Sequence, residues 1–268
     1  MTETIRIDNI KGLLLDLDGT LYHGGIMIPG ADELIAGLRA NGIPFLFVTN
    51  NSSRTPESVA AHLLAMGIEA EAREVCTSSL AAARYIAEES PGASVAILGE
   101  EGLLKACEEA GLNIVSDSPQ YLVQGIDRSF TYDSLTKAAR WIAGGAKFVL
   151  TNPDLMLPSD NGMMPGAGTL GAAIEAASGT TPVIIGKPHR YLMNYATSRL
   201  GIDSKEAVVV GDNMRTDIAA GANAGCRTIL LLTGVTTEDN LERHKELTGV
   251  SPDYICRNLA DLRVLLGV

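Results

Sequence analysis

Two aspartates follow a short apolar segment near the start of the chain, in the sequence Leu13-Leu14-Leu15-Asp16-Leu17-Asp18-Gly19-Thr20. In an extended backbone, residues two apart point to the same side, so we expect the carboxylates of Asp16 and Asp18 to lie close together. Like charges at that distance repel each other unless a cation compensates them. Mg²⁺ prefers oxygen ligands, so the pair predicts a magnesium site. The alternative, an acidic solvated turn after a strand, stays open for this segment alone.

A second apolar segment, Phe45-Leu46-Phe47-Val48, runs directly into Thr49, Asn50, Asn51 and two serines. Hydroxyl, amide and backbone N–H groups together can surround phosphate oxygens, so this run predicts a phosphate-binding loop. The other interpretation is an N-terminal capping loop for a helix beginning near Pro56.

A third segment delivers a lysine to the end of an apolar run, in Val183-Ile184-Ile185-Gly186-Lys187-Pro188. Lys187 could pair with a phosphate or hold a carboxylate nucleophile in place. A lone lysine at such a position is more often a surface residue.

A fourth apolar segment, Val208-Val209-Val210-Gly211, ends at Asp212, and Asp217 follows five residues later. Asp217 falls in the first turn of a predicted helix, where a negative charge is favourable in any case. Asp212 adds a further carboxylate after a strand, which strengthens the case for a metal site.

Short apolar runs alternate with amphipathic stretches along the whole chain, which predicts an α/β fold with a mostly parallel sheet and helices on both faces. Open sheets of this kind bind ligands beyond the carboxyl ends of their strands, where the polar residues above fall. The runs predicted as strands are Gly12–Leu15, Pro44–Val48, Ser94–Leu98, Tyr121–Gln124, Lys147–Leu150, Pro182–Ile185, Ala207–Val210 and Thr228–Leu232.

Composition and charge narrow the function. The 268 residues carry a net charge of −11, which repels a phosphate-rich polymer, so nucleic acid is not an expected partner. No stretch approaches eighteen apolar residues, so no membrane span is expected. The first twelve residues lack a basic region followed by an apolar run, and four cysteines lie far apart without a Cys-x-x-Cys pair. We therefore expect a cytoplasmic protein with reduced cysteines.

The four segments, in this order, resemble the haloacid dehalogenase-like (HAD) hydrolase superfamily over essentially the whole chain. The resemblance implies a Rossmann-like doubly wound core with a separate cap, and a magnesium-dependent phosphatase of small phosphate monoesters that works through a phospho-aspartyl intermediate. Asp16 would be the nucleophile and Asp18 the general acid and base. The remaining implied roles are phosphoryl binding by Thr49, Asn50, Asn51 and Lys187, Mg²⁺ binding by Asp16, Asp212 and the carbonyl of Asp18, and support of the metal site by Asp217.

The branch with an inserted α/β cap, which includes NagD-like and 4-nitrophenyl-phosphatase-like proteins, matches Thr151-Asn152-Pro153-Asp154 and Gly186-Lys187-Pro188. We predict a core of residues 1–79 and 182–268 and a cap of residues 80–181. Caps of this branch often mediate dimers, so a homodimer through the cap is a further expectation.

Three rival functions remain at this point. A phosphomutase would share the aspartyl phosphate but protect it from water. A phosphonatase would need a Schiff-base lysine in the cap, and Lys105, Lys137 and Lys147 lack an apolar active-site context. A non-catalytic module that binds phosphorylated metabolites is the third, and the complete set of acids argues against it.

Overall fold

The protein is described by a computed structural model at residues 7, 10–159 and 162–268. Most of the first twelve residues, whose sequence entered the expectation of a cytoplasmic protein, therefore lie outside the described residues. Among the described residues, no helix is both long and apolar enough to cross a membrane.

Fifteen strands are present in the described part of the chain. They are β1 (Gly12–Leu15), β2 (Tyr22–His23), β3 (Ile26–Met27), β4 (Phe45–Thr49), β5 (Val75–Thr77), β6 (Ser94–Leu98), β7 (Asn113–Ile114), β8 (Tyr121–Gln124), β9 (Lys147–Leu150), β10 (Met156–Ser159), β11 (Gly162–Pro165), β12 (Val183–Ile184), β13 (Ala207–Gly211), β14 (Arg227–Leu231) and β15 (Tyr254–Cys256).

Ten α-helices lie between or after these strands in the described residues. They are α1 (Ala31–Ala40), α2 (Pro56–Ala65), α3 (Ser78–Glu89), α4 (Glu101–Glu109), α5 (Tyr132–Ala143), α6 (Ala167–Ser178), α7 (Arg190–Leu200), α8 (Ala219–Ala224), α9 (Leu241–Thr248) and α10 (Leu259–Leu266). A π-helical turn, Met214–Ile218, joins β13 to α8.

One compact unit consists of the segment that ends at Thr49, Pro56–Cys76 and Lys187–Val268. Its sheet has the strand order β15-β14-β13-β1-β4-β5, and β1 pairs in parallel with both β13 and β4. Leu13 and Leu15 pack with residues of α1, α2 and α10 on one face. On the opposite face, α7 contacts β1 and β4, and α8 contacts β14. Parallel strands covered on both faces must be apolar throughout, which explains the fully buried sequence of β1.

The other compact unit consists of Asn50–Thr55 and Thr77–Gly186. Its five-stranded sheet has the order β12-β9-β8-β6-β7, and β10 and β11 form a separate antiparallel pair. Buried residues of β6, β8, α5 and α6 share one apolar cluster that includes Leu122 and Ile174. The predicted α/β fold with parallel sheets and helices is therefore confirmed.

The observed division of the chain differs from the predicted cap of residues 80–181. Val183 and Ile184 pair with Val149 and Leu150 of β9, so β12 belongs to the second unit, and the chain returns to the first unit only at Lys187. Residues 50–55 also group with the second unit. Ser79 contributes to this grouping, because its hydroxyl donates to the carbonyl of Ser52.

Candidate active site

Asp16 and Asp212 lie side by side because they directly follow neighbouring parallel strands. Leu15 is in register with Val210, and the N–H of Asp16 donates to the carbonyl of Val210 at 2.9 Å. Both side chains therefore lie at the carboxyl edge of the sheet, where the sequence predicted them.

Asp217 joins these two residues to form a three-carboxylate cluster, in which one ligand oxygen from each residue lies within 4.8 Å of the others. Asp217 approaches from the π-helical turn, and its Oδ2 accepts the N–H of Asn213 at 3.1 Å. Gly211 makes room for it, because a Cβ at that position would overlap the Asp217 side chain. A π-helical turn at such a position is a common feature of functional sites.

Lys187 supplies the positive charge of the cluster. Its Nζ lies 2.5 Å from Oδ1 of Asp16 and 2.6 Å from Oδ1 of Asp217, and the residue is only 3% exposed. Burial opposes the charged ammonium, but the two carboxylates outweigh it and raise the pKa of Lys187. The lysine is therefore a buried, permanently charged partner of the acids and not a surface residue.

Burial raises the pKa of Asp16 well above its ordinary value, and the charge of Asp217 adds to this effect, with Lys187 acting in the opposite direction. The pKa of Asp212 is raised as well, mainly by burial and then by Asp217. With all groups ionised, three carboxylates against one ammonium leave two uncompensated negative charges. Oxygen ligands with that excess charge fit Mg²⁺, so the residues present suit the predicted metal.

Thr20 is a member of the site that the sequence analysis did not single out. Its Oγ1 lies 3.4 Å from Oδ2 of Asp16 and 3.4 Å from Oδ1 of Asp212, and the residue is fully buried. The hydroxyl can donate to either carboxylate and so links the two. Its position in the Asp-x-Asp-Gly-Thr segment was the available signal.

Asp18 is not a member of the three-carboxylate cluster. Its side chain is exposed. Gly19 follows with φ of 85° and donates its N–H to the carbonyl of Tyr22, which turns the chain away from the strand direction. The carboxylate cluster is therefore not formed by the predicted pair Asp16 and Asp18, because Asp212 and Asp217 accompany Asp16 instead. The roles of Asp18 as an acid and base, and of its carbonyl as a metal ligand, stay predictions.

Thr49 is half-buried at the end of β4 in the first unit, and Asn50 and Asn51 follow it in the second unit. Oδ1 of Asn51 accepts the N–H groups of Ser53 and Arg54, which caps the local turn. This turn lies before α2, and capping of that helix by the segment stays an open alternative. Phosphoryl binding by Thr49, Asn50 and Asn51 stays a prediction.

Asn50 is held by an acid that the sequence analysis did not assign to the site. Its Nδ2 donates to Oδ2 of Asp154 at 3.0 Å, and Nδ2 of Asn152 donates to the same oxygen at 2.7 Å. The segment quoted above as a branch signature thus orients Asn50.

Comparison with known proteins places this geometry in a family. A model described as haloacid dehalogenase-like hydrolase matches residues 13–113, and one described as HAD-hydrolase-like matches residues 184–262. The chain is 45% identical over 231 residues to the 5′-nucleotidase YutF of Bacillus subtilis, covering 86% of this chain and 90% of the relative. It is 43% identical over 255 residues to an acid sugar phosphatase of Staphylococcus saprophyticus, covering 95% of this chain and 97% of that relative.

Among solved structures, the p-nitrophenyl phosphatase from Archaeoglobus fulgidus matches with a TM-score of 0.89 and 38% identity, covering 95% of this chain and 98% of that one. The chain therefore belongs to the haloacid dehalogenase-like hydrolases. The predicted NagD-like branch is confirmed, as is the prediction of a HAD-type phosphoric monoester hydrolase. Homodimer formation and a cytoplasmic location stay predictions.

Proposed function

We propose that the chain is a Mg²⁺-dependent phosphatase that hydrolyses small phosphate monoesters through a phosphorylated Asp16. The observation that carries the proposal is the contact between Asp16 and the buried Lys187, inside a carboxylate cluster with excess negative charge. Asp16 is also the acid that directly follows the central strand β1, at the edge where this class of sheet binds ligands.

In this mechanism, an oxygen of Asp16 attacks the phosphorus atom of the ester, and the bond between phosphorus and the leaving oxygen breaks. Asp18 donates a proton to that leaving oxygen, which departs as an alcohol. Asp18 then takes a proton from water, which attacks the phosphorus of the acyl phosphate and releases phosphate and a free Asp16. Covalent catalysis thus divides one difficult displacement into two easier ones.

Lys187 and the carboxylates of the cluster have different electrostatic roles in this mechanism. Lys187 orients Asp16 before attack, opposes the rise in its pKa, and neutralises charge on the transferred group. Asp16 and Asp212 would hold Mg²⁺, with Asp217 in support because Lys187 and the N–H of Asn213 already engage both of its oxygens. When bound, Mg²⁺ supplies Lewis-acid stabilisation of the phosphoryl oxygens.

The substrate class follows from the relatives. Their names describe them as acting on 5′-nucleotides, acid sugar phosphates and p-nitrophenyl phosphate, so we propose a small, monophosphorylated metabolite. In the family, the inserted domain selects the leaving group, and we assign that role to the second unit.

The phosphonatase alternative has no support in the cap lysines. Lys105 and Lys147 are at least half exposed and pair with Glu101 and Glu89, and Lys137 is exposed. A Schiff-base lysine needs an apolar environment that lowers its pKa. A phosphomutase or other phosphotransferase, and a non-catalytic binding module, are separated from a phosphatase by experiment.

The test is release of inorganic phosphate from a panel of monoesters, comparing the wild type with Asp16→Asn and with Asp32→Asn, an exposed aspartate of α1. Hydrolysis should need Mg²⁺, stop in excess chelator and be inhibited by Ca²⁺. Asp16→Asn should lose at least about a thousandfold in kcat while Asp32→Asn keeps wild-type activity. Full activity in chelator, or Asp16→Asn within tenfold of wild type, would refute the proposal. An isomerised sugar phosphate in place of free phosphate would indicate a mutase.

A further inference from the structure

A short turn after β14, Thr233–Thr236, contacts Asp212 at two points. The N–H of Val235 donates to Oδ2 of Asp212 at 2.6 Å, and the N–H of Thr236 donates to the carbonyl of Asp212 at 3.0 Å. The side chain of Val235 is 55% exposed and adds little to the core, so the residue acts on the site through its backbone. The carboxylate and the main chain of Asp212 are thus both fixed by one turn.

Gly234 lets the turn come this close. A Cβ at Gly234 would overlap Oδ2 and Cγ of Asp212, and its φ lies outside the left-handed region, so only the close approach requires glycine. Gly19 lies against the same carboxylate, where an added Cβ would be 2.5 Å from Oδ2. The Asp212 carboxylate therefore lies between two glycine backbones.

Two threonine hydroxyls fix the turn to the remaining parts of the site. Oγ1 of Thr236 accepts the N–H of Met214 at 3.1 Å, at the start of the π-helical turn that carries Asp217, and Thr236 is fully buried. Oγ1 of Thr233 donates to the carbonyl of Gly19 at 2.7 Å, in the segment that follows Asp16. The turn is thereby joined to both of the segments that supply the other carboxylates.

We propose that the Thr233–Thr236 turn positions Asp212 as a one-oxygen metal ligand and thereby favours Mg²⁺ over Ca²⁺. The Val235 N–H engages Oδ2, which leaves Oδ1, on the side of Thr20, for a cation. Mg²⁺ is small and octahedral, whereas Ca²⁺ accepts carboxylates that use both oxygens. A fixed carboxylate with one available oxygen therefore suits Mg²⁺. This inference rests on the proposed function, because it assumes that Asp212 holds the metal.

The test titrates substrate-free protein separately with Mg²⁺ and with Ca²⁺, using thermal protection and calorimetry as readouts. Gly234→Ala should weaken Mg²⁺ binding by about 10- to 100-fold, the usual effect of losing support for a ligand, and should weaken Ca²⁺ binding less. Val235→Ala is the matched control, because it keeps the backbone N–H, and its Mg²⁺ affinity should stay within about twofold of wild type. Thr236→Val should weaken Mg²⁺ binding, and Thr236→Ser, which keeps the hydroxyl, should restore it.

Circular dichroism in chelator checks that each variant is folded. A folded Gly234→Ala with wild-type affinities for both ions overturns the inference. If Gly234→Ala does not fold, the comparison between Thr236→Val and Thr236→Ser tests the inference instead. Equal Mg²⁺ affinities for these two variants would overturn it. A wild type that neither binds Mg²⁺ nor releases phosphate overturns the proposed function as well. If the wild type binds Mg²⁺ and releases phosphate, but the variants bind Mg²⁺ as tightly as the wild type, only the proposed role of the turn is overturned.

Discussion

Lys187 and Asp217 form an ion pair in the interior of the first unit, with 2.6 Å between Nζ and Oδ1 and no more than 4% of either side chain exposed. Both groups lose hydration there, and Asp217 regains part of that loss through the N–H of Asn213. Removing one partner of such a pair costs more than the pair contributes, because the remaining charge stays buried. The ion pair between Lys187 and Asp217 therefore contributes both to the stability of the folded site and to its catalytic chemistry.

Replacing this lysine should affect stability and turnover together. Lys187→Gln in chelator is expected to lose about 3–5 kcal/mol of unfolding free energy, because buried carboxylates then lack a cation. Mg²⁺ should recover part of that loss, while kcat should remain at least about a hundredfold below wild type. Urea unfolding with and without Mg²⁺ measures the first effect. Lys205→Gln, at an exposed lysine, is the control and should change neither quantity.

Asp18 should matter most when the leaving group needs a proton. Asp18→Asn is expected to lose activity on an alkyl phosphate by several orders of magnitude and less on 4-nitrophenyl phosphate, whose leaving group is a weak base. Dephosphorylation should also slow, so rapid quench should trap phosphorylated Asp16 from the activated ester. Equal losses for both esters without a trapped intermediate would contradict this role.

The unfolding free energy should depend on pH through Asp212. Burial raises its pKa from 3.8 to about 6, so the folded protein holds a proton that the unfolded chain releases. This contribution is present at low pH and is lost as the pH rises through about 4 to 6. Between pH 4 and pH 7 in chelator, the unfolding free energy of the wild type should fall by about 1–3 kcal/mol relative to that of Asp212→Asn.

Added Mg²⁺ should stabilise the wild type increasingly over the same pH range, because the ligand must lose its proton. Chemical denaturation of both proteins at each pH measures the two effects. Parallel curves for wild type and variant would show that Asp212 titrates normally.

The four cysteines should be inert in the folded protein. All four are buried, and burial raises the pKa of Cys76 to about 11 and of Cys107 to about 12. The reactive thiolate is then on the order of a thousandth of the total or less at pH 8. Labelling with a disulfide reagent should be slow in buffer and give four thiols in urea, or three for Cys107→Ser. Rapid stoichiometric labelling of the folded protein would count against this burial.

The strands that position the site could be predicted because they are buried on both faces. Gly12–Leu15 was predicted with its observed bounds, and the run that became β13 was short by one residue, Gly211. Elements without that signal were missed. The helix Leu241–Thr248 has no fully buried residue and only two leucines, Leu241 and Leu247, which are too few to show a helical period. The three-residue strand Val75–Thr77 is too short to show a period.

The charged residues of the cluster could be predicted from the sequence, but the backbone groups that position them could not. Asp16, Lys187, Asp212 and Asp217 each stand at a recognisable point after an apolar run, and the structure brings them together. The Val235 N–H carries no side-chain signal, since any residue but proline offers the same group. Likewise, the apolar run at Val183–Ile184 predicts a strand but cannot indicate which of two sheets it joins.

The central place of β1 in its sheet has a consequence for synthesis of the chain. Its partner on one side, β4, ends at Thr49, whereas its partner on the other side, β13, begins only at Ala207. At 5–20 residues per second, the ribosome needs roughly 10–30 seconds to make the intervening chain. Throughout that interval the apolar strand Gly12–Leu15 has one unpaired edge. An unpaired strand edge is a template for pairing with other chains, so this part of the nascent protein is open to such pairing until β13 has been made.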